Sequence, residues 1–248
     1  MKTYLKSTGR VLAASCLFLL GGALANGQTL NVTNGLTLWL KADALTGLTN
    51  GQSVATWNDS STNGNDATQG SGSMQPTYVS NGLAGLPVLS FSGDNLVTPS
   101  IAALSSLSVF MVARSADLGD RYALQFGHDT RAVIEGYGSG NWRWFNTPSI
   151  VTLQPMSTAI FQTIWTTNGA SSAGAWHIGA DASVTAPFSG SIAEVIVYDH
   201  ALSAAESQDV AGYLNAKWAI PEPSSVALLA LGGLLALRGI SRGTRSNG

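Results

Sequence analysis

The sequence feature that most constrains the fold is a series of short β-type segments separated by clusters of glycine, asparagine, serine and threonine. Segment 36–41, LTLWLK, alternates apolar and polar positions, as a half-buried strand does. Many short strands joined by glycine-rich turns predict an all-β fold of antiparallel sandwich or barrel type. Further strands are predicted at 54–57, 87–91, 107–113, 122–126, 132–137, 142–145, 161–166, 175–178 and 191–198.

One helix is predicted near the end of this β-rich body. Ser203 and Glu206 have the spacing of a capping box, in which each side chain accepts a hydrogen bond from the backbone N–H of the other residue. Pro221 would end the helix, because proline cannot continue the backbone hydrogen bonds. We expect the helix to lie on the rim of the sandwich, with one apolar face formed by Val210, Tyr213, Leu214 and Trp218.

The first 25 residues have the layout of a secretory signal peptide. A basic segment precedes an apolar run over residues 11–20, which is too short for a typical membrane span and ends at a small-x-small cleavage pattern. Signal peptidase is therefore a predicted partner. The basic residues and the cleavage positions are Lys2, Lys6, Arg10, Ala23 and Ala25.

The last 28 residues, 221–248, contain a second apolar segment. A transmembrane helix over about 224–240 would be roughly 25 Å long, against about 30 Å for the hydrocarbon core of a bilayer. Basic residues after a span favour the cytoplasmic side, so the preceding body is expected outside the cytoplasm. The segment is flanked by Pro221, Glu222 and Pro223 before it and by Arg238, Arg242 and Arg245 after it.

Between these ends, residues 26–220 have the length of one domain with a substantial core. This body carries six basic and thirteen acidic residues, a net charge of −7. Nucleic-acid binding depends on neutralising phosphates, so we expect no nucleic-acid partner. The one cysteine, Cys16, lies in the signal peptide, so the body would be exported without any disulfide.

Two parts of the body resemble the laminin-G-like, concanavalin A-like jelly-roll family of bacterial surface proteins. The first reads GLTLWLKADAL, VATWNDSSTNGNDATQ and LPVLSFSGDNL, and the second is FSGSIAEVIVYDHALSAAESQDVAGYLNAKWAI. The resemblance covers roughly residues 30–220 and implies two packed antiparallel sheets. Because the family includes lectins, adhesion modules and glycosidases, the fold alone does not determine the activity. A hairpin common in the family is shortened here, in TTNGASSAGAWHIGADAS.

The tail resembles the PEP-CTERM sorting signal, since a Pro-Glu-Pro motif, a short apolar helix and a basic end occur in that order at the C-terminus. The resemblance implies a Gram-negative bacterium and an exosortase-type membrane enzyme as a processing partner. It also implies a transient anchor in the inner membrane, cleavage near Pro223, and transfer to the cell surface or the exopolysaccharide matrix.

The body lacks a clear sequence pattern for a catalytic site. Glycoside hydrolases need two carboxylates that flank the scissile bond. Glu135 has no acidic neighbour in the sequence, and Glu194 and Asp199 are five residues apart, so they would point to opposite faces of one strand. The sequence therefore predicts no catalytic residues, although a pair assembled from distant strands stays open.

Glu194 lies within the apolar strand segment IAEVIVY, where it is expected to share a face with Ile192, Ile196 and Tyr198. A buried acid must be paired or hydrogen-bonded. A structural role is therefore favoured for Glu194, with a nearby loop N–H or an arginine as its expected partner.

Calcium is a possible cofactor. Asp59 and Asn63 fit the first positions of a calcium loop, Asp66 adds a carboxylate, and Asp94 is a second candidate. Position 12 of the loop is Gly70 instead of the usual glutamate. The same composition is typical of a turn in which short polar side chains cap their own backbone, and this interpretation is favoured.

Aromatic residues provide the candidate carbohydrate contacts. Trp142 and Trp144 alternate and so share one strand face, which Tyr137 and Trp176 would extend into a platform for sugar rings. The alternative, which the absence of disulfides favours, is that these tryptophans belong to the core.

These observations lead to three hypotheses about function. The first is an exported, non-catalytic protein of the cell surface or exopolysaccharide matrix, whose jelly-roll domain binds a polysaccharide or another surface ligand. The second is a structural or adhesive module that contacts other proteins. A glycoside hydrolase is the third, and the missing carboxylate pair argues against it.

Overall fold

The computed structural model describes residues 28–127, 132–138, 140–146 and 149–220. Short 3₁₀ turns occur at Ala42–Ala44 and Gly72–Met74. The strands and the helix are β1 (Leu36–Lys41), β2 (Thr56–Trp57), β3 (Ala67–Thr68), β4 (Thr77–Leu83), β5 (Leu86–Ser92), β6 (Leu96–Ile101), β7 (Leu104–Ser115), β8 (Arg121–Gln125), β9 (Ala132–Tyr137), β10 (Asn141–Asn146), β11 (Ser149–Pro155), β12 (Gln162–Ser171), β13 (Gly174–Ile178), β14 (Ser189–Tyr198) and α1 (Ala204–Lys217).

The strands form two antiparallel sheets. The six-stranded sheet has the order β12-β7-β14-β5-β4, and β1 also pairs with β14. The eight-stranded sheet has the order β11-β10-β9-β8-β13-β6-β3-β2. The predicted all-β sandwich of antiparallel jelly-roll type is therefore confirmed.

The main core lies between the two sheets, because alternate residues of each strand point inward. It is rich in large side chains that are almost completely buried, which is how a chain of this size is held together without disulfides. The largest of them are Trp57, Trp142, Trp144, Trp176, Phe91, Phe126 and Phe188.

A second core lies between helix α1 and the outer face of the six-stranded sheet. The helix begins with the predicted capping box, since the Ser203 hydroxyl accepts from the Glu206 N–H and the Glu206 carboxylate accepts from the Ser203 N–H. The predicted apolar face of the helix is buried against Phe110, Val112 and Ile196 of the sheet. The predicted helix is therefore confirmed, and it covers part of one sheet.

One strand register differs from the prediction. The pairing of β14 with β7 shifts between Ile192 and Glu194, so that Ala193 is an extra residue in the strand. Ile192 therefore points into the main core, whereas Glu194 points outward with Ile196 and Tyr198. The prediction that Ile192 and Glu194 share a face was wrong, because a bulge resets the alternation of side chains.

The two processing segments lie outside the described residues. These are the predicted signal peptide, 1–25, and the tail, 221–248, with their basic, cleavage and sorting residues. In the described part of the chain, no helix combines the length and the apolar character that crossing a bilayer requires.

Candidate functional site

A polar cleft of about 580 Å³ lies where β1 begins and β6 ends, beside the loop of residues 58–66. Hydroxyl, amide and carboxylate groups dominate it, and none of the described residues that line it is aromatic. We call it the polar cleft, and its polar side chains are Thr33, Thr37, Ser61, Thr62, Asn63, Asn65, Ser100 and Asp199.

The loop beside the cleft is held in place by Asp59. One carboxylate oxygen accepts from the backbone N–H groups of Trp39 and Ser61, each at 2.9 Å. The other accepts from the Ser61 hydroxyl at 2.7 Å and the Asn65 N–H at 3.0 Å. Asp59 thus forms the turn that the sequence analysis favoured, in which a short polar side chain caps its own backbone.

The calcium hypothesis does not fit these carboxylates. A carboxylate has about four lone-pair positions, and four protein donors occupy those of Asp59. Asp66 accepts from the Asp59 N–H at 2.7 Å, and Asp94 accepts from the Ser92 N–H at 2.7 Å. Across the described residues, no three histidine, cysteine or acidic side chains gather as a metal site would need.

Asn63, the remaining candidate of this loop, ties the loop to β1. Its side-chain amide donates to the Leu36 carbonyl at 2.7 Å and to the Ser61 hydroxyl at 3.0 Å. Asn65 makes a similar bond to the Thr37 carbonyl at 2.9 Å. These amides build the wall of the cleft, since both residues line it.

Thr62 is strained at the mouth of the cleft. Its φ of 75° lies in the left-handed region, which a β-branched residue rarely adopts. Such strain costs on the order of 1–3 kcal/mol and is concentrated at functional positions. The neighbouring bonds of Asp59 and Asn63 hold the loop in this conformation.

Asp199 provides the acidic group of the cleft. Its side chain is 51% exposed, and its carboxylate lies 2.9 Å from the His200 Nδ1. Its backbone N–H donates to the Gly35 carbonyl, which joins the end of β14 to the beginning of β1. The sequence analysis placed Asp199 on a strand and missed its role here, because only the pairing of β1 with β14 brings it to the cleft.

The structure confirms the favoured core interpretation of the three candidate tryptophans and excludes the aromatic platform that they would have formed. Trp142, Trp144 and Trp176 are 0%, 2% and 1% exposed and belong to the main core. Trp144 and Trp176 both pack on Phe126, with ring centroids 5.6 and 5.2 Å apart. These rings lie on the faces of their strands that point into the core, so they cannot contact a sugar. The side chain of Tyr137 lies outside the described residues.

A polar cluster lies on the outer face of the eight-stranded sheet. Arg143 of β10, Glu135 of β9 and Tyr122 of β8 are neighbours in register, and the Arg143 Nε donates to the Glu135 carboxylate. Asp181, which follows β13, accepts from the Thr185 N–H and hydroxyl, each at 2.8 Å. Both carboxylates are therefore engaged by protein donors.

Burial dominates the electrostatics of this polar cluster. It raises the pKa of Glu135, and the charge and hydrogen bond of Arg143 oppose this effect. Burial also raises the pKa of Tyr122, which the negative charges of Glu135, Asp181 and Asp120 raise further. Desolvation lowers the pKa of His177, against the charge of Asp181.

Glu194 lies at the centre of a third polar group, beneath α1. It is completely buried, and its partners come from both ends of the body. Lys217 balances the charge of Glu194, and its ammonium group also reaches the partly exposed Asp43 at 2.8 Å. The donors to Glu194 are the Trp39 Nε1 at 2.6 Å, the Lys217 Nζ at 2.7 Å, the Trp218 Nε1 at 2.8 Å and the Tyr213 hydroxyl at 2.9 Å.

This arrangement gives Glu194 the structural role that the sequence analysis favoured, with different partners. A loop N–H or an arginine was expected, and the structure supplies two indoles, a phenol and a lysine. The partners lie in the two stretches that carry the family resemblance. Those stretches therefore encode the attachment of α1 to the sheet.

The fold and the polar cleft define an antiparallel β-sandwich domain with a polar surface cleft at one end. No family model matches the chain, and no curated protein matches its sequence. Similarity is found among solved structures, and it is a similarity of overall shape at low sequence identity.

Trypanosoma rangeli sialidase in complex with sialic acid is 13% identical, with a TM-score of 0.48, and the match covers 73% of this chain and 33% of the sialidase. The second is Domain 4 of AbnA, a GH43 extracellular arabinanase from Geobacillus stearothermophilus, in complex with arabinotriose. It is 14% identical with a TM-score of 0.48, covering 71% of this chain and 98% of that domain. The chain thus spans about a third of the sialidase it matches, and such likeness carries no conclusion about ligand or activity.

Proposed function

We propose that the protein is an exported, non-catalytic protein of the cell surface or extracellular matrix, and that its sandwich domain binds carbohydrate in the polar cleft. The observation that carries the proposal is the lining of the cleft. Its hydroxyls, amides and the Asp199 carboxylate match the many hydroxyl groups of a sugar, and the strained Thr62 lies among them.

The non-catalytic part of the proposal rests on how the carboxylates are used. Hydrolysis of a glycosidic bond needs one carboxyl that gives a proton and another that acts as base or nucleophile. Glu135 is bound by Arg143, and Asp181 is bound by Thr185. Glu194 is completely buried beneath α1 and accepts from four protein side chains. These carboxylates have structural partners, which supports binding without turnover.

Export and surface display rest on the two processing segments alone. The signal peptide, 1–25, directs secretion, and the tail, 221–248, anchors the body until an exosortase-type enzyme cuts near the Pro-Glu-Pro motif. The body would then join the surface or the matrix of a Gram-negative bacterium, where polysaccharide is abundant.

Carbohydrate binding is tested by blocking the polar cleft. Ala102 lines the cleft, and its exposed neighbour Ala103 does not line it. A glycan array probed with the full chain and with the variants Ala102→Trp and Ala103→Trp compares a filled cleft with a matched surface change. We expect wild type and Ala103→Trp to bind the same glycans and Ala102→Trp to lose them. Unchanged binding by Ala102→Trp would exclude the polar cleft, and no binding by folded wild type would exclude the function.

A second candidate function, contact with another protein, is favoured by one observation. Four of the five exposed large apolar side chains in the described residues occur within the sixteen residues 150–165, at the edges formed by β11 and β12. β11 and β12 contact each other, and exposed apolar side chains on such edge strands are typical of a protein-contact surface. These residues are Ile150, Val151, Ile160 and Trp165, and a loss of self-association or partner binding in Ile150→Lys would support this function.

A further inference from the structure

A second cavity, of about 420 Å³, lies on the outer face of the six-stranded sheet, away from the polar cleft. Hydroxyl groups and one arginine dominate its walls, and none of the described residues that line it is acidic. We call it the serine cavity, and the residues used below are Ser90, Ser92, Arg114, Thr158, Ser189 and Ser191.

Strand register brings the central residues of the serine cavity together. Ser191 of β14 lies opposite Ser90 of β5 on one side and opposite Arg114 of β7 on the other. The three side chains therefore stand next to one another on a rigid sheet. Val88 and Val112 precede Ser90 and Arg114 by two residues and are buried in the second core. The serine cavity thus begins where that core ends.

Arg114 is oriented without being neutralised. Its guanidinium lies over the ring of Phe161, 4.9 Å from the ring centroid. Within the described part of the chain it forms no ion pair with a carboxylate, whereas Arg121 and Arg143 each form one. A guanidinium held by an aromatic ring keeps its N–H groups free for an oxyanion.

Ser191 supplies an independent observation. The residue is only 9% exposed, and its hydroxyl makes no hydrogen bond to any other described residue. The hydroxyl is not among the enclosed polar atoms that lack a partner, so it is reached from the serine cavity. Its hydroxyl lines the serine cavity beside Arg114, so a bound group there would satisfy both.

We propose that the serine cavity binds the oxyanion of an acidic sugar, either a carboxylate or a sulfate ester. The Arg114 guanidinium forms a two-pronged, charge-assisted contact with the oxyanion. The hydroxyls of Ser90 and Ser191 donate to the oxyanion or to the hydroxyls of the same sugar. This inference rests on the proposed carbohydrate function and deepens it, because it names an acidic polysaccharide as the ligand class.

The test compares three probes on the full chain by calorimetry. These are an oligogalacturonate, its methyl-esterified neutral form, and a sulfated galactan oligosaccharide. We expect binding of at least one anionic probe and none of the neutral ester. Arg114→Gln should weaken that binding tenfold or more, and Arg114→Lys should weaken it less. Arg121→Gln removes a positive charge at an exposed ion pair and should leave affinity unchanged. Higher salt should weaken binding.

Two outcomes overturn the inference: wild type binds neither anionic probe, or Arg114→Gln binds as tightly as wild type. The relative affinity for carboxylate and sulfate identifies the source of the oxyanion. Ser191→Ala, which removes one oxygen, provides a second variant if Arg114→Gln fails to fold, and should lower affinity several-fold.

The proposed function can hold even if this inference fails. Binding of neutral glycans that is retained by wild type and lost in Ala102→Trp would show that the polar cleft binds carbohydrate without the serine cavity.

Discussion

Glu194 is a carboxylate that is completely buried and accepts hydrogen bonds from four side chains. Such a charge is tolerated only when it is paired and hydrogen-bonded. Lys217 supplies the opposite charge and in turn reaches Asp43. Trp39 lies 155 residues away from Glu194 in the chain. Single residues at distant positions thus join the two ends of the domain.

We expect Glu194→Ala to destabilise the protein by about 3–5 kcal/mol, since it leaves the buried Lys217 ammonium without its strongest partner. Urea unfolding followed by tryptophan fluorescence measures the change. Asp117→Ala, which breaks the exposed pair with Arg121, is the control and should cost less than about 1 kcal/mol. Equal costs for the two variants would contradict a buried charge network.

His177 makes stability depend on pH in a defined direction. Its Nδ1 is buried and has no hydrogen-bond partner in the described residues, and desolvation lowers its pKa below the ordinary value. As the pH falls through that ordinary value, the unfolded chain takes up a proton before the folded chain does. Stability is therefore lost on acidification from about pH 7 to pH 5.

We expect His177→Gln to reduce this loss, because glutamine does not titrate in that range. Urea unfolding of wild type and variant at pH 7 and pH 5 gives the two slopes. Asp181 opposes the desolvation of His177, which limits the size of the effect. A variant that loses as much stability as wild type between these pH values would refute the assignment to His177.

At the scale of elements, the loop of residues 58–66 shows how short polar side chains hold a turn in place. Asp59 satisfies four donors, and Asn63 and Asn65 attach the loop to β1. Gly64, at a φ of 72°, supplies the left-handed turn that other residues avoid. The spacing that resembles a calcium loop is therefore explained by backbone capping.

We expect the calcium chelator EGTA to leave the melting temperature unchanged, because the oxygens of Asp59 already accept from the protein. Asp59→Ala should destabilise the protein by about 2 kcal/mol or more, since backbone N–H groups lose a charged acceptor. Thermal unfolding measures both. A melting temperature that falls in EGTA and returns with added calcium would contradict the assignment.

At the scale of the whole molecule, the beginning and the end of the domain meet. Leu30 belongs to the second core together with Trp218, and Ile220 packs against it. The described chain therefore begins and ends on the side of the molecule that carries α1. The sandwich between them keeps its own core, so cleavage outside residues 28–220 removes no residue of either core.

We expect the form of the protein at the cell surface to begin near residue 26 and to end near Pro223. The reason is that a span of roughly 25 Å suits a processed anchor better than a permanent one. Intact-mass measurement of protein released from the surface gives both ends. A mass that still includes Arg245 would refute processing of the tail.

Much of the fold could be predicted from local patterns. The predicted segments 36–41 and 132–137 coincide with β1 and β9, and the capping box correctly located α1. The strands β3, β4, β6 and β11 were missed. In β6, Pro99 interrupts the apolar pattern, and in β4 a glycine and an asparagine resemble a turn.

The site was harder to predict, because its residues meet only through long-range pairing. Trp142 and Trp144 were correctly placed on one face. Alternation identifies two faces without saying which one is covered, so only the absence of disulfides favoured the core over the platform. Asp199 and Arg114 belong to cavities that depend on which strands lie beside β14. The bulge at Ala193 changes the face of the sheet on which Glu194 lies, and no local sequence pattern predicts this bulge.

By itself, the sequence determined the antiparallel sandwich class and the position of the helix, because both depend on the spacing of neighbouring residues. The tertiary structure decided which faces are buried, which donors bind Glu194, and that Arg114 lies beside serines in the serine cavity. Those outcomes depend on strand order and sheet packing, which join residues far apart in the chain and are encoded by no short stretch of it.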